Sequence, residues 1–171
     1  TIASTGNATD FGDLTIATAN HSSGGSTTRG LWAGGIEWGE GETNVIQYVT
    51  IASTGNATDF GDATNTAEHP AGASSNTRFL RGGGMSSSNV IDYVTIASTG
   101  NATDFGDLTV GRGRLAATSS KDTYAVFLGG SGPSNVMDYV TISSTGNASD
   151  WGDLDAAVRF GTGLSNNHGG L

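Results

Sequence analysis

Apolar residues along the chain come in short runs that alternate with small or polar ones, as in Val49-Thr50-Ile51-Ala52, and each run is closed by Gly, Ser, Thr or Asn. A two-residue alternation puts one face of an extended strand inward and the other outward, so each run predicts a half-buried β-strand. No stretch carries the three-to-four-residue spacing of an amphipathic helix, and runs rich in Leu, Ala, Glu and Lys are missing. The prediction is therefore all-β, built from many short strands joined by tight turns.

The pattern repeats. Thirteen residues, TIASTGNATDFGD, occur without change from Thr1, Thr50 and Thr95, and a fourth copy, TISSTGNASDWGD, starts at Thr141. The spacings of 49, 45 and 46 residues suit units of one small sheet each. Before three of the copies stands a second signature, Asn44-Val45-Ile46-Gln47-Tyr48-Val49, Asn89-Val90-Ile91-Asp92-Tyr93-Val94 and Asn135-Val136-Met137-Asp138-Tyr139-Val140. Upstream of that is an apolar run ending in glycines: Leu31 to Gly35, Phe79 to Gly83 and Val126 to Gly130. Within the cassette, Gly6-Asn7, Gly55-Asn56, Gly100-Asn101 and Gly146-Asn147 are expected at hairpin turns, because Gly and Asn accept positive φ. A further strand rich in Gly, Ala and Ser, for example Arg112 to Ser119, suits an innermost position where strands crowd together. Each unit thus predicts about four strands, and residues 1–171 form a single repeat domain.

The order Gly-Gly, Tyr, aromatic-Gly-Asp-Leu, Arg resembles the kelch repeat over essentially the whole chain, although Phe11, Phe60 and Phe105 stand where kelch units carry tryptophan. The resemblance implies a β-propeller of four-stranded antiparallel blades, about three and a half of them here. More narrowly, the cassette is similar to kelch-like repeats of marine bacteriophage virion and tail-associated proteins, which implies a virion or extracellular location. The chain starts without Met inside a motif, so a processed product or a piece of a longer protein is expected. Residues 1–31 and 141–171 occupy the same phase of the repeat, with the N-terminal end expected to supply the two outer strands of a blade and the C-terminal end an innermost one. The ends would close a four-bladed ring, or the chain would form part of a larger ring, for which a homodimer of seven blades is one route.

Composition narrows the chemistry. Only 13% of residues are charged, against about 25% in an average soluble domain, and the net charge of −9 reflects few basic groups. The seven Lys and Arg are scattered, so a nucleic-acid partner is not expected, nor is an anionic membrane surface. No apolar run approaches the ~20 residues of a spanning helix. Without cysteine there are no disulfides, thiolate metal sites or cysteine nucleophiles.

Catalytic patterns are weak. His21, His69 and His168 share no ligand spacing, and the glycines of Arg81-Gly82-Gly83-Gly84 lack the strand and helix context of a phosphate loop. The pairs Asp10 and Asp13, Asp59 and Asp62, Asp104 and Asp107, and Asp150 and Asp153 are candidates for Ca²⁺. Two carboxylates fall short of the about six to eight oxygens calcium takes, and turn capping accounts for them more simply. The Asn-Ala-Thr and Asn-Ala-Ser sequons fall in the cassette, and modification there is not expected.

What varies between copies is the loop after Gly-Gly: Ile36 to Glu42, Met85 to Ser88 and Ser131 to Ser134. Variable loops on a repeated scaffold are where binding groups are expected, so Trp38, Glu37, Glu40, Met85 and Ser131 are the candidate binding residues. Trp38 between acids suits stacking on a sugar ring or anchoring a protein. The expected function is a non-catalytic structural or binding module, with no cofactor, contacting host-surface glycan or neighbouring virion proteins. The alternatives are a glycan-active lyase or hydrolase of propeller type, with Arg112, Arg114 and Arg159 as its remaining candidates, or a bacterial surface adhesin.

Overall fold

A computed structural model of the chain describes residues 5–120, 122–132 and 134–164. It is all-β, with fifteen strands in four antiparallel sheets among the described residues. Sheet I has the order β2 (Ser22–Gly25), β3 (Arg29–Ala33), β6 (Val45–Thr50) and β7 (Thr58–Asp62). Sheet II repeats it with β8 (Ala71–Ser74), β9 (Arg78–Gly82), β10 (Val90–Thr95) and β11 (Thr103–Asp107). Sheet III repeats it with β12 (Ala116–Ser119), β13 (Tyr124–Leu128), β14 (Ser134–Thr141) and β15 (Ser149–Val158). A small fourth sheet joins β1 (Thr18–Ala19), β4 (Ile36–Glu37) and β5 (Gly41–Glu42).

The expected four strands per unit are present, and the small-residue strand is the first of each: Ser-Ser-Gly-Gly, Ala-Gly-Ala-Ser and Ala-Ala-Thr-Ser. These strands lie side by side and, with Gly163, line one cavity of about 120 Å³. The reason for small residues is steric. A Cβ on Gly72 would stand 2.4 Å from the Ser23 carbonyl oxygen, and one on Gly24 would stand 2.5 Å from the Phe79 ring. In sheet III that strand is shorter than expected and begins at Ala116, because Arg112 to Leu115 form the turn that leads into it.

The sheets pack face to face. Leu31, Ile46 and Phe60 of sheet I meet Phe79, Val94 and Ile96 of sheet II. Leu80, Ile91 and Phe105 of sheet II meet Phe127, Val140 and Ile142 of sheet III. The alternation read along β6, β10 and β14 is the physical origin of both layers: Ile46 and Ile91 face one neighbour, Val94 and Val140 the other.

The cassette explains itself once its neighbours are visible. The Gly55 amide donates to the Phe11 carbonyl and the Ala57 amide to the Asp13 carbonyl, both at 2.8 Å. Gly100 and Ala102 repeat this onto Phe60 and Asp62, and Gly146 and Ala148 onto Phe105 and Asp107, all four at 2.7 Å. Asn56, Asn101 and Asn147 accept from the amides of Asp13, Asp62 and Asp107 at 3.0, 3.0 and 3.1 Å. Each cassette therefore binds the one before it and is bound by the one after it, so both halves of its sequence are constrained. Gly12, Gly61 and Gly106 have φ of 143, 140 and 145°, and a Cβ there would lie within 2.4–2.6 Å of the next cassette's glycine carbonyl group.

Three sequence expectations are corrected. The Gly-Asn pair is not the hairpin turn: the chain reverses at Thr50 to Ser53, with the Ser53 amide donating to the Thr50 carbonyl at 3.3 Å, and Asn56 serves as a cap to its neighbour. Each of the three later cassettes accordingly carries one full strand of the sheet, the last, rather than two. The apolar run of sheet II is offset by one residue, because Arg29, Arg78 and Tyr124 pair with Thr50, Thr95 and Thr141. Gly83-Gly84, not Gly82-Gly83, thus matches Gly34-Gly35 and Gly129-Gly130. Gly82 is a strand residue flattened against the Phe127 ring, 2.7 Å from the position of its absent Cβ.

Candidate functional site

Four residues outside the cassette form a second ladder. Asn20, His69, Arg114 and Phe160 have φ of 58, 55, 58 and 57°, the left-handed region that non-glycine residues rarely enter. Amide of His69 to carbonyl of Asn20, Arg114 to His69, and Phe160 to Arg114 follow at 2.9, 3.0 and 2.9 Å. Backbone strain of about 1–2 kcal/mol per residue is held in place by these bonds. The four residues share the 49, 45 and 46 spacing of the cassettes. That spacing was the available sequence signal, but four different side chains obscured it.

The variable loops root at this end. The Gly35 amide donates to Ala67, Met85 to Glu68 and Ser131 to Gly113, at 2.8, 2.7 and 2.7 Å. A pocket of about 190 Å³ opens here between Asn20, His21, His69, Arg114 and Phe160. The Arg114 guanidinium lies 5.1 Å over the Phe160 ring, whose edge meets His69 at 5.4 Å. Nε of Arg114 is buried with no hydrogen-bond partner among the described residues. Glu68 accepts from Asn20 at 2.8 Å and lies 3.4 Å from Nε2 of His69. Burial holds the His21 imidazole below its ordinary pKa, against the opposing effect of a hydrogen bond from the ring to the Thr18 backbone. His168 and Pro133 lie outside the described residues.

Of the candidate loop residues, Trp38 stands out. Residues 36–42 form a hairpin of β4 and β5 laid on β1, and Trp38 at its tip is 85% exposed, so it does not pack on its own loop. Glu40 is exposed beside it and Glu37 is half-buried. Met85 and Ser131 are half-buried at the base of the same end, the Ser131 hydroxyl accepting from the Gly113 amide at 3.2 Å.

The buried charges are architectural. Asp92 is paired with Arg81 at 2.7 Å and Asp138 with Arg112 at 2.7 Å, all four side chains being 3% exposed or less. Thr64 and Thr109 also donate to these carboxylates. In sheet I the same place holds the neutral Gln47, which accepts from Thr15, and Trp32 replaces Arg81. Arginine thus accompanies the carboxylate and is absent where the acceptor is an amide, as the cost of burying an unpaired charge demands.

Of the Asp-x-x-Asp residues, Asp59, Asp62, Asp104, Asp107, Asp150 and Asp153 lie in the last strands β7, β11 and β15 rather than in turns, and Asp10 and Asp150 accept from the amides of Gly12 and Gly152 at 3.1 and 2.9 Å. Among the described residues no three His, Asp or Glu come together as a metal site. No protein-family model matches the sequence, and no curated protein matches it.

Proposed function

We propose that the chain is a non-catalytic, kelch-like propeller module of a phage virion or tail, and that its variable-loop end contacts host-surface glycan. Three sheets of identical order around one small-residue cavity support the propeller reading, and the cassette resemblance supports the source. The observation that carries the binding reading is Trp38. A largely exposed indole at the tip of a hairpin that, among the described residues, the other units do not form has no packing role to explain it. Its flat face suits the C–H face of a pyranose, and Glu37 and Glu40 beside it offer acceptors for sugar hydroxyls.

The test is a glycan array probed with the wild-type chain and with Trp38→Ala. Binding by the wild type, lost in the variant at unchanged thermal stability, is the expected result. Binding that persists in the variant would remove Trp38 from the site, and an empty array for the wild type would remove glycan as the ligand.

A further inference from the structure

The left-handed conformation of the second ladder is one that glycine adopts freely, and the chain uses glycine at another such position in each unit: Gly34, Gly83 and Gly129 have φ of 69, 72 and 67°. Asn20, His69, Arg114 and Phe160 instead keep side chains there, and all four line the pocket of about 190 Å³ together with Pro70 and Leu115. Backbone strain that fixes side chains around a cavity is characteristic of ligand sites. His69 and Arg114 each have a ladder neighbour on both sides, so described residues set their placement.

Arg114 differs from the other arginines withdrawn from solvent. Arg29 and Arg78 donate to the carbonyls of Ile96 and Ile142 at 2.6 and 2.8 Å, and Arg81 and Arg112 to the carboxylates of Asp92 and Asp138 at 2.7 Å. The Arg114 Nε is buried with no partner among the described residues, while one face of its guanidinium lies over Phe160. The carboxylate next to His69, that of Glu68, is engaged elsewhere, accepting from Asn20 at 2.8 Å and lying 3.4 Å from Nε2 of His69. A guanidinium nitrogen held out of water without an acceptor is costly, and a planar carboxylate is the acceptor that its fork of donors fits.

We infer, on the reading of this end as a glycan-binding surface, that the pocket is a carboxylate subsite and that the glycan is acidic, carrying a hexuronic or sialic acid unit. The sugar carboxylate pairs with the Arg114 guanidinium. Phe160, 60% exposed, offers apolar surface to the C–H groups of the sugar, and Asn20 and His69 offer polar atoms to its hydroxyls. β1 ends at Ala19, one residue before Asn20, and pairs with β4 of the Trp38 hairpin, so the pocket and the indole are joined through one strand.

The test titrates the full chain with D-glucuronic acid and N-acetylneuraminic acid, each a sugar carboxylate, and with D-glucose and acetate, reading binding from amide shifts in NMR. At least one of the two acids is expected to bind, with glucose and acetate about tenfold weaker or silent. Arg114→Gln is expected to weaken the bound acid by about tenfold or more, and Trp38→Ala to leave its affinity unchanged. Failure of both acids to bind would overturn the inference, as would glucose or acetate binding as tightly as the acid, or binding indifferent to Arg114→Gln. The comparison of the four probes on the wild-type chain decides the matter even where Arg114→Gln does not fold. Acid binding through Arg114 beside array binding that survives Trp38→Ala would uphold the pocket and remove the indole. Array binding lost in Trp38→Ala with no preference for acidic glycans would keep the indole and overturn the carboxylate subsite.

Discussion

Arg112 is the largest fully buried side chain among the described residues, at 1% exposure, and its replacement tests the account of the buried charges. Its Nη1 donates to Asp138 Oδ2 at 2.7 Å and to the Val110 carbonyl at 2.9 Å; Nε and Nη2 donate to the carbonyls of Gly129 and Phe127 at 2.7 and 3.2 Å. Arg112→Met keeps most of the volume and removes every one of these bonds. Asp138, 0% exposed, is left with the Thr109 hydroxyl as its remaining side-chain donor. Stranding one member of a buried ion pair costs about 3–5 kcal/mol. At ~2–4 °C per kcal/mol for a domain of this size, the melting temperature should fall by about 10 °C. Sheet I supplies the compensating change, since Gln47 fills the same place without an arginine. The pair Arg112→Met with Asp138→Gln should recover about 2 kcal/mol or more relative to the sum of the two single changes. Urea unfolding of all four proteins gives the cycle. A single Arg112→Met variant within ~1 kcal/mol of wild type, or strictly additive changes, would refute the claim that the arginine is there to neutralise a buried carboxylate.

Two further substitutions test the cassette contacts and the buried imidazole. Gly106→Ala should shift the urea midpoint more than Gly152→Ala: both carry positive φ, worth about 1–2 kcal/mol of strain in each, but only at Gly106 does the new Cβ fall 2.4 Å from a backbone oxygen, that of Gly146. At Gly152 the nearest atom is Met137 Cε at 4.0 Å, so equal shifts would show that the cassette contacts contribute nothing. His21 is the pH-sensitive group. Its folded pKa lies below the unfolded value near 6.5, so the unfolded chain binds more protons in the window between the two, and stability is full above that window and falls as pH drops through it. His21→Gln should flatten this part of the stability-versus-pH curve, measured by urea unfolding between about pH 7 and pH 5.

How far the sequence could be read depended on whether a residue's role was local or shared. The strands of the Asn-Val-Ile-Asp-Tyr signature were legible because alternation along one strand states which side chains face inward. The small-residue strand was legible because only crowding explains so much Gly, Ala and Ser in a β-protein. By contrast, Asn56 looked like a turn former because Gly-Asn is a good local turn, yet its amide oxygen serves Asp13, 43 residues away. The Gly-Gly register failed at Gly82-Gly83-Gly84 because three glycines in a row carry no side chain to set the frame.

By itself, then, the sequence determined the strand content, the period of the repeat, the crowding of the first strand and the loops free to vary. All of these follow from local periodicity and from the steric demands of single residues. Tertiary structure alone decided which cassette binds which, which acids are buried with an arginine, that Asn20, His69, Arg114 and Phe160 converge, and that Phe11 and Ile51 lie open while Phe60, Phe105, Ile96 and Ile142 are buried. Identical residues at different positions in the array meet different neighbours, and hydrogen bonding and burial are properties of the neighbour as much as of the residue.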